Sequence, residues 1–321
     1  MLNHALQRSG LDFSHRVRVP ALRGTAADSL TLSDGHTLAY QIYGSQDGFP
    51  VFYFHSVGNS RLECELFHRS ASRTGFRLIA VDRPGIGGSD PRANGGTKEF
   101  ARAIVELADR LEITRFGMLS LASGGLFALS TAHQAQDRIE FQLSLGGIPG
   151  NLLQHRAGQG SSLTAHCMNS VLPLLIRVFT SLRHSLSVSS PDDYVERLRD
   201  LLSYTDRKAL EDPRVMAVLK ASLGESLRQG FQGVARDTSL CFAEPGFQLR
   251  DIRVPVVIWQ GCADRLYPNS SSEYVTAHLP RGSLHSIANR GHYFFLHCMD
   301  EIFASVSHLE PSRQTWRAKA A

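Results

Sequence analysis

The chain has 321 residues, 42% hydrophobic and 20% charged, with a net charge of +4. That balance fits a globular chain with a sizeable core and excludes a disordered or collagen-like one. Part of the positive charge lies in residues 1–25, where Arg8, Arg16, Arg18 and Arg23 face Asp12 alone; without interleaved aromatics this reads as a solvated tail rather than a nucleic-acid surface.

The first predicted element is a hairpin over 30–43, "LTLSDGHTLAYQIY", turning at Asp34-Gly35. "VFYFHS" (51–56) is a short continuous apolar run of the kind buried on both faces of a parallel sheet. Residues 59–74 read as helical and lead to a second buried run, "RLIAVD" (77–82). "RPGIGGSDP" (83–91) is loop by its glycines and prolines. Thr97 is the expected N-cap of a helix to about Leu111. "FGML" begins a third buried run, Gly124 to Ala132 is helical, and "IEFQLSL" (139–145) is a fourth run.

From 146 to 247 short helical patterns are broken by "SLSVSSPDD", "EDPRV" and "AEPGF". "VPVVIWQG" (254–261) then restores the buried-strand character. A helix to about Leu279, "SLHSIAN" (283–289) and a last helix to about His308 follow. Strands alternating with helices imply an α/β fold with a mostly parallel sheet covered on both faces. The expected organisation is an N-terminal extension at 1–29, a core formed by 30–149 and 250–310, an inserted helical lid at 150–249, and a tail at 311–321. Within the lid, "NSVLPLLIRVFTSL" (169–182) could line a pocket or simply pack onto the core.

Cys64, Cys167, Cys241, Cys262 and Cys298 are odd in number and lack paired spacing, so neither a disulfide framework nor a zinc site is expected. No apolar stretch reaches the roughly 18 residues of a membrane span, and the first 20 residues lack a secretory core. The expected location is cytoplasmic. No metal or organic cofactor is expected; the partner is a small-molecule substrate, with no nucleic acid, no membrane span, and a homodimer as the one assembly allowed for.

In a doubly wound sheet, ligands bind at the carboxyl ends of the strands. Those ends carry "FHSVGNSRLE", "DRPGIGGSD", the small-residue turn in "MLSLASGGLFAL" (118–129), "GCAD" and "NRGHYFF". Together these resemble the α/β-hydrolase superfamily over roughly residues 30–308. The likeness is to the subgroup whose first loop reads His-Gly-x-x-Gly-Ser-Arg-Leu-Glu and which carries a helical lid ending like "SLRQGFQGVARD" (226–237). Here Ser56 replaces the first glycine of that loop and Asn59 the second.

The resemblance implies a nucleophile elbow of the form Gly-x-Ser-x-Gly, whose turn tolerates only small residues two before and two after the nucleophile. Centring it on Ser123 puts Leu121 in the tight position, and centring on Ser120 puts Met118 there. Centring on Ala122 places Ser120 and Gly124 correctly, so alanine occupies the nucleophile position. Asp264 and His292 follow in the order of the fold's acid and base, with Asp264 orienting the imidazole. The oxyanion hole would use the backbone N–H groups of Val57 and Ser123. His55 and Ser56 would support the pocket, with Ser56 narrowing it, and Arg83 and Ser89 would be structural. The Ser123 hydroxyl is expected to point away from the reacting centre.

Three accounts of Ala122 stand side by side. The chain is a disarmed esterase, thioesterase or lactonase in which alanine has replaced the serine of a hydrolase acting on a partly apolar molecule. Alternatively the fold binds a small molecule as a receptor. In the third, His292 and Asp264 act as a base in lyase, cyclase or cofactor-free oxygenase chemistry.

Overall fold

The computed structural model describes residues 26–92, 95–147, 199–241 and 245–309. The expectations for most of the N-terminal extension, for 148–198 including the apolar segment 169–182, and for the tail 311–321 lie outside the described residues.

The predicted hairpin forms, with β1 (Asp28–Thr31) antiparallel to β2 (Thr37–Gly44) and Leu30 opposite Leu38. Gly35 takes a φ of 85° at the turn, a conformation open to glycine because it has no Cβ. The two first buried runs become β3 (Phe49–Phe54) and β4 (Phe76–Val81). Between them a 3-10 helix at Arg61–Phe67 runs into α1 (His68–Thr74).

The next helix, α2 (Thr97–Arg110), is capped one residue earlier than expected from sequence. Gly96 is its N-cap and donates its N–H to Glu99 Oε2 at 2.8 Å. The carboxylate three residues on thus closes the turn, which leaves Thr97 inside the helix. Then follow β5 (Phe116–Leu121), α3 (Gly124–Gln134) and β6 (Ile139–Leu145). Helices α4 (Tyr204–Ala209), α5 (Pro213–Ser226) and α6 (Phe231–Cys241) fall between β6 and β7 (Val256–Gly261). The chain continues through α7 (Asn269–His278), β8 (Gly282–Ile287), a 3-10 turn at Phe294–His297 and α8 (Met299–Ser307).

The eight strands lie in the order β1-β2-β4-β3-β5-β6-β7-β8. The β1–β2 and β2–β4 pairs are antiparallel; β3 to β8 are mutually parallel. The order reverses at β3, whose neighbours are β4 on one side and β5 on the other. A crevice opens at the carboxyl ends of the strands flanking such a reversal.

Alternation along each strand divides the core between the sheet's two faces. Val51, Tyr53, Leu78, Leu119 and Leu143 pack with Phe67, Ala71, Phe303 and Val306 on one side. Phe52, Phe54, Ile79 and Met118 pack with Phe100, Ile104, Leu126 and Val275 on the other. None of the helices among the described residues is long and apolar enough to cross a membrane.

The helices between β6 and β7 are tied to the strand ends by buried polar contacts. Ser60 N donates to Ser222 Oγ at 2.9 Å, and Ser226 Oγ donates to the Gly58 carbonyl at 2.9 Å. Arg83 donates to both carboxylate oxygens of Asp237, from Nε at 2.5 Å and Nη2 at 2.6 Å, with both side chains buried. Removing one member of such a pair strands the other charge in the interior. Asp237→Ala is therefore expected to lower stability by about 3–5 kcal/mol, read from urea unfolding, with binding of α6 loosened first.

Candidate functional site

The turn between β5 and α3 is set by one backbone conformation. Ala122 has a φ of 49°, in the left-handed region that residues with a Cβ rarely occupy. Its N–H donates to the Leu145 carbonyl of the next strand at 2.7 Å, and its carbonyl accepts from Gly125 N–H at 3.0 Å. A Cβ on Gly124 would overlap the carbonyl oxygens of Phe54 and His55. Ser120 is small enough to place its Oγ 3.0 Å from Ser144 Oγ. The small residues required around position 122 thus have identified neighbours.

Across the sheet, His292 Nδ1 lies 2.9 Å from Asp264 Oδ2. The other oxygen, Oδ1, accepts the N–H groups of Leu266 at 2.8 Å and Tyr267 at 3.1 Å. Gln260 Nε2 also donates to Oδ2, at 3.2 Å. With the carboxylate held at both oxygens, Nδ1 must be the protonated nitrogen and Nε2 is left free to accept a proton. Both side chains are buried. Burial drives His292 toward its neutral form, but the Asp264 charge and hydrogen bond, with Asp206 and Glu63 beyond it, leave the imidazole above its ordinary value of 6.5. Gly146, at a φ of 70°, passes so close that a Cβ would lie 2.9 Å from His292 Cε1. The Tyr267 ring stacks on the imidazole, its centroid 5.7 Å away.

The first loop is organised by Glu63. Its carboxylate accepts Tyr53 Oη at 2.6 Å, Ser56 N–H at 2.8 Å and Ser56 Oγ at 2.6 Å. The Ser56 hydroxyl is committed to this network. His55 is fully buried, which holds it neutral. Its Nδ1 donates to the Ser56 carbonyl at 2.9 Å while its Nε2 accepts Arg83 N–H at 3.3 Å. Ser89 accepts Ala39 N–H at 2.9 Å and donates to the Asp82 carbonyl at 2.7 Å, latching the second loop.

Ser123 departs from expectation. Its hydroxyl accepts Val57 N–H at 2.7 Å, across the crevice between β3 and β5, instead of pointing away. Burial pushes the nearby Cys241 thiol up to about 12. The rotamer follows from the donor: Val57 N–H is otherwise unpaired inside the fold, and the nearest acceptor takes it. Gly146, Asp206 and Tyr267 were missed from sequence because the histidine loop they face is remote in the chain; Glu63 stood in the first-loop motif but was given no role. Among the described residues, no group of three or more His, Cys, Asp and Glu could hold a metal ion.

Residues 48–305 match the family described as "Alpha/beta hydrolase family". The chain is 25% identical over 274 residues to a 2-hydroxy-6-oxononadienedioate/2-hydroxy-6-oxononatrienedioate hydrolase of Cupriavidus pinatubonensis, covering 82% of this chain and 88% of that one. Its fold is similar to an esterase from Exiguobacterium antarcticum (TM-score 0.67, 19% identity, 89% of this chain and 100% of that one). It is similar too to an enol-lactonase from Burkholderia xenovorans (TM-score 0.62, 18% identity, 88% and 99%). The fold is thus the α/β-hydrolase fold.

Three outcomes are expected here. Because its folded value is raised, protonated His292 adds stability fully below pH 6.5. That gain is lost as pH rises through the folded value, and urea unfolding across pH 5–9 compared with His292→Gln isolates it. Gly124→Ala is expected to collapse soluble yield and lower the thermal midpoint, since backbone carbonyls cannot move aside. Gly224→Ala in α5, where a Cβ meets nothing within 4 Å, should instead stabilise by about 1 kcal/mol.

Proposed function

The chain belongs to the alpha/beta hydrolase family, and from that premise we propose a serine-hydrolase-type site for an ester, thioester or lactone of a small, partly apolar molecule. Ala122 stands where the attacking serine belongs. The observation that carries this reading is the retained His292–Asp264 pair at the same strand ends as a left-handed residue 122. The esterase and enol-lactonase neighbours suit these bond types; cleavage of a carbon–carbon bond beside a carbonyl would use the same groups.

In this reading, a hydroxyl at position 122 gives its proton to His292 Nε2 as it attacks the substrate carbonyl. Asp264 keeps the proton on Nδ1 and balances the imidazolium that forms. The backbone N–H groups of Val57 and Ser123 receive the oxyanion. For that, the Ser123 hydroxyl must give up Val57 N–H to the substrate oxygen. The imidazolium returns its proton to the leaving group, and a His292-activated water then releases the acyl group. The described helices α4, α5 and α6, which meet the strand-end loops, are the part of the chain that would set substrate choice in this reading. With alanine at 122 the first attack has no oxygen, a loss on the order of a millionfold in turnover by comparison with another serine hydrolase.

A second reading rests on the intact buried pair itself. His292 can deprotonate water or a substrate carbon directly, without a covalent intermediate. Ala122→Ser decides between them. Labelling by a fluorophosphonate and hydrolysis of a panel of esters, thioesters and lactones, both absent in the parent chain, are the expected results. Neither labelling nor hydrolysis from a folded variant would sink the serine-hydrolase reading. Turnover by the parent that His292→Ala abolishes would establish the second.

A further inference from the structure

One buried carboxylate plays no part in the steps above and yet is bonded to the histidine loop. Asp206 lies in the first turn of α4 and is 1% exposed. Its Oδ1 accepts Tyr293 N–H at 2.8 Å. Its Oδ2 accepts Ser203 Oγ at 2.7 Å, and the same hydroxyl accepts Asp206 N–H at 3.2 Å. One residue earlier, Thr205 Oγ1 accepts Gly291 N–H at 3.0 Å. The amides on both sides of His292 are therefore held by two consecutive side chains of one short helix. The approach is so close that a Cβ on Gly291 would overlap Asp206 Oδ2 and Ser203 Oγ.

We infer that Asp206, seconded by Thr205, is the positioning residue for His292, fixing the backbone of 291–293 from the helices inserted between β6 and β7. The sheet alone does not do this: Asp264 restrains the ring through Nδ1, while the chain that carries the ring is anchored on α4. Helix α4 thereby becomes part of the acid–base machinery. The inference rests on the reading of His292 as the base, but its geometry does not depend on which substrate is used.

The groups facing His292 can be separated. Asp264 approaches from the loop after β7 and Asp206 from α4; Glu63 acts from the 3-10 helix after β3, and the Tyr267 and Tyr293 rings pack against the imidazole. Asp206 acts in two ways, by holding an amide and by its charge, which is among the influences that favour the protonated imidazole. Asp206→Asn keeps an acceptor for Tyr293 N–H and removes the charge. Asp206→Ala removes both, and Thr205→Val removes the second anchor while leaving the charge.

The test is the NMR titration of the His292 Cε1–H in the full-length, ligand-free chain, its signal among 14 histidines assigned by loss in His292→Gln. Asp206→Asn should lower the imidazole pKa, because a nearby negative charge is removed, with the thermal midpoint nearly unchanged. Thr205→Val should leave the pKa in place but broaden or double the resonance, as the ring loses its single position. Asp206→Ala should do both. His292 titrating with parental pKa and a single sharp signal in folded Asp206→Asn and Thr205→Val would overturn the inference, even if Asp206→Ala fails to fold. In the Ala122→Ser background, Asp206→Asn should reduce kcat several-fold with little change in KM. Absence of turnover there counts against the hydrolase reading alone, because the titration still decides the role of Asp206.

Discussion

The left-handed backbone of Ala122 is the constraint on which the site depends. A residue with a Cβ at a φ of 49° costs on the order of 1–3 kcal/mol and persists only where its surroundings leave no alternative. Here the Ala122 N–H is locked to the Leu145 carbonyl, and Gly124 is pressed against the Phe54 carbonyl. Those contacts come from β6 and β3, the strands flanking β5, so the turn is imposed by the sheet. Its consequence is a side chain lifted out of the strand end toward the crevice where the strand order reverses.

Around that turn, buried polar groups are paired across long sequence separations. Arg83 meets Asp237 across 154 residues, Ser60 meets Ser222 across 162, and Asp206 meets Tyr293 N–H across 87. Each partner pair joins a strand-end loop to a helix lying between β6 and β7. In a low-dielectric interior a single misplaced member leaves its partner unsatisfied, so these contacts fix relative position more sharply than apolar packing does. The result is an imidazole restrained through its ring by Asp264 and through its backbone by α4.

Much of the scaffold was legible in the sequence because its signals are local. Asp34-Gly35 announced the hairpin, and the continuous apolar runs at 51–56, 77–82, 139–145 and 254–261 fell on β3, β4, β6 and β7. The register at 122 rests on the elbow that the family resemblance implies, since only that register places small residues at 120 and 124. The cap of α2 was missed by one residue because Glu99 reaches back to Gly96 rather than to Thr97. The direction of the Ser123 hydroxyl was not legible, as it is decided by a backbone donor 66 residues away. The same holds for Asp206, whose sequence context reads only as the first turn of a short helix.

The central claim is that residue 122 is the point of attack and lacks only an oxygen. It is tested most directly by mass spectrometry of Ala122→Ser quenched in acid within seconds of mixing with a reactive ester. The tryptic peptide Phe116–Arg138 contains position 122 together with Ser120 and Ser123, so fragmentation can locate the acyl group. The account predicts acylation at position 122, lost when His292→Ala is added. Acylation at Ser123, or no acyl group on this peptide in a folded protein that hydrolyses the ester, would contradict it.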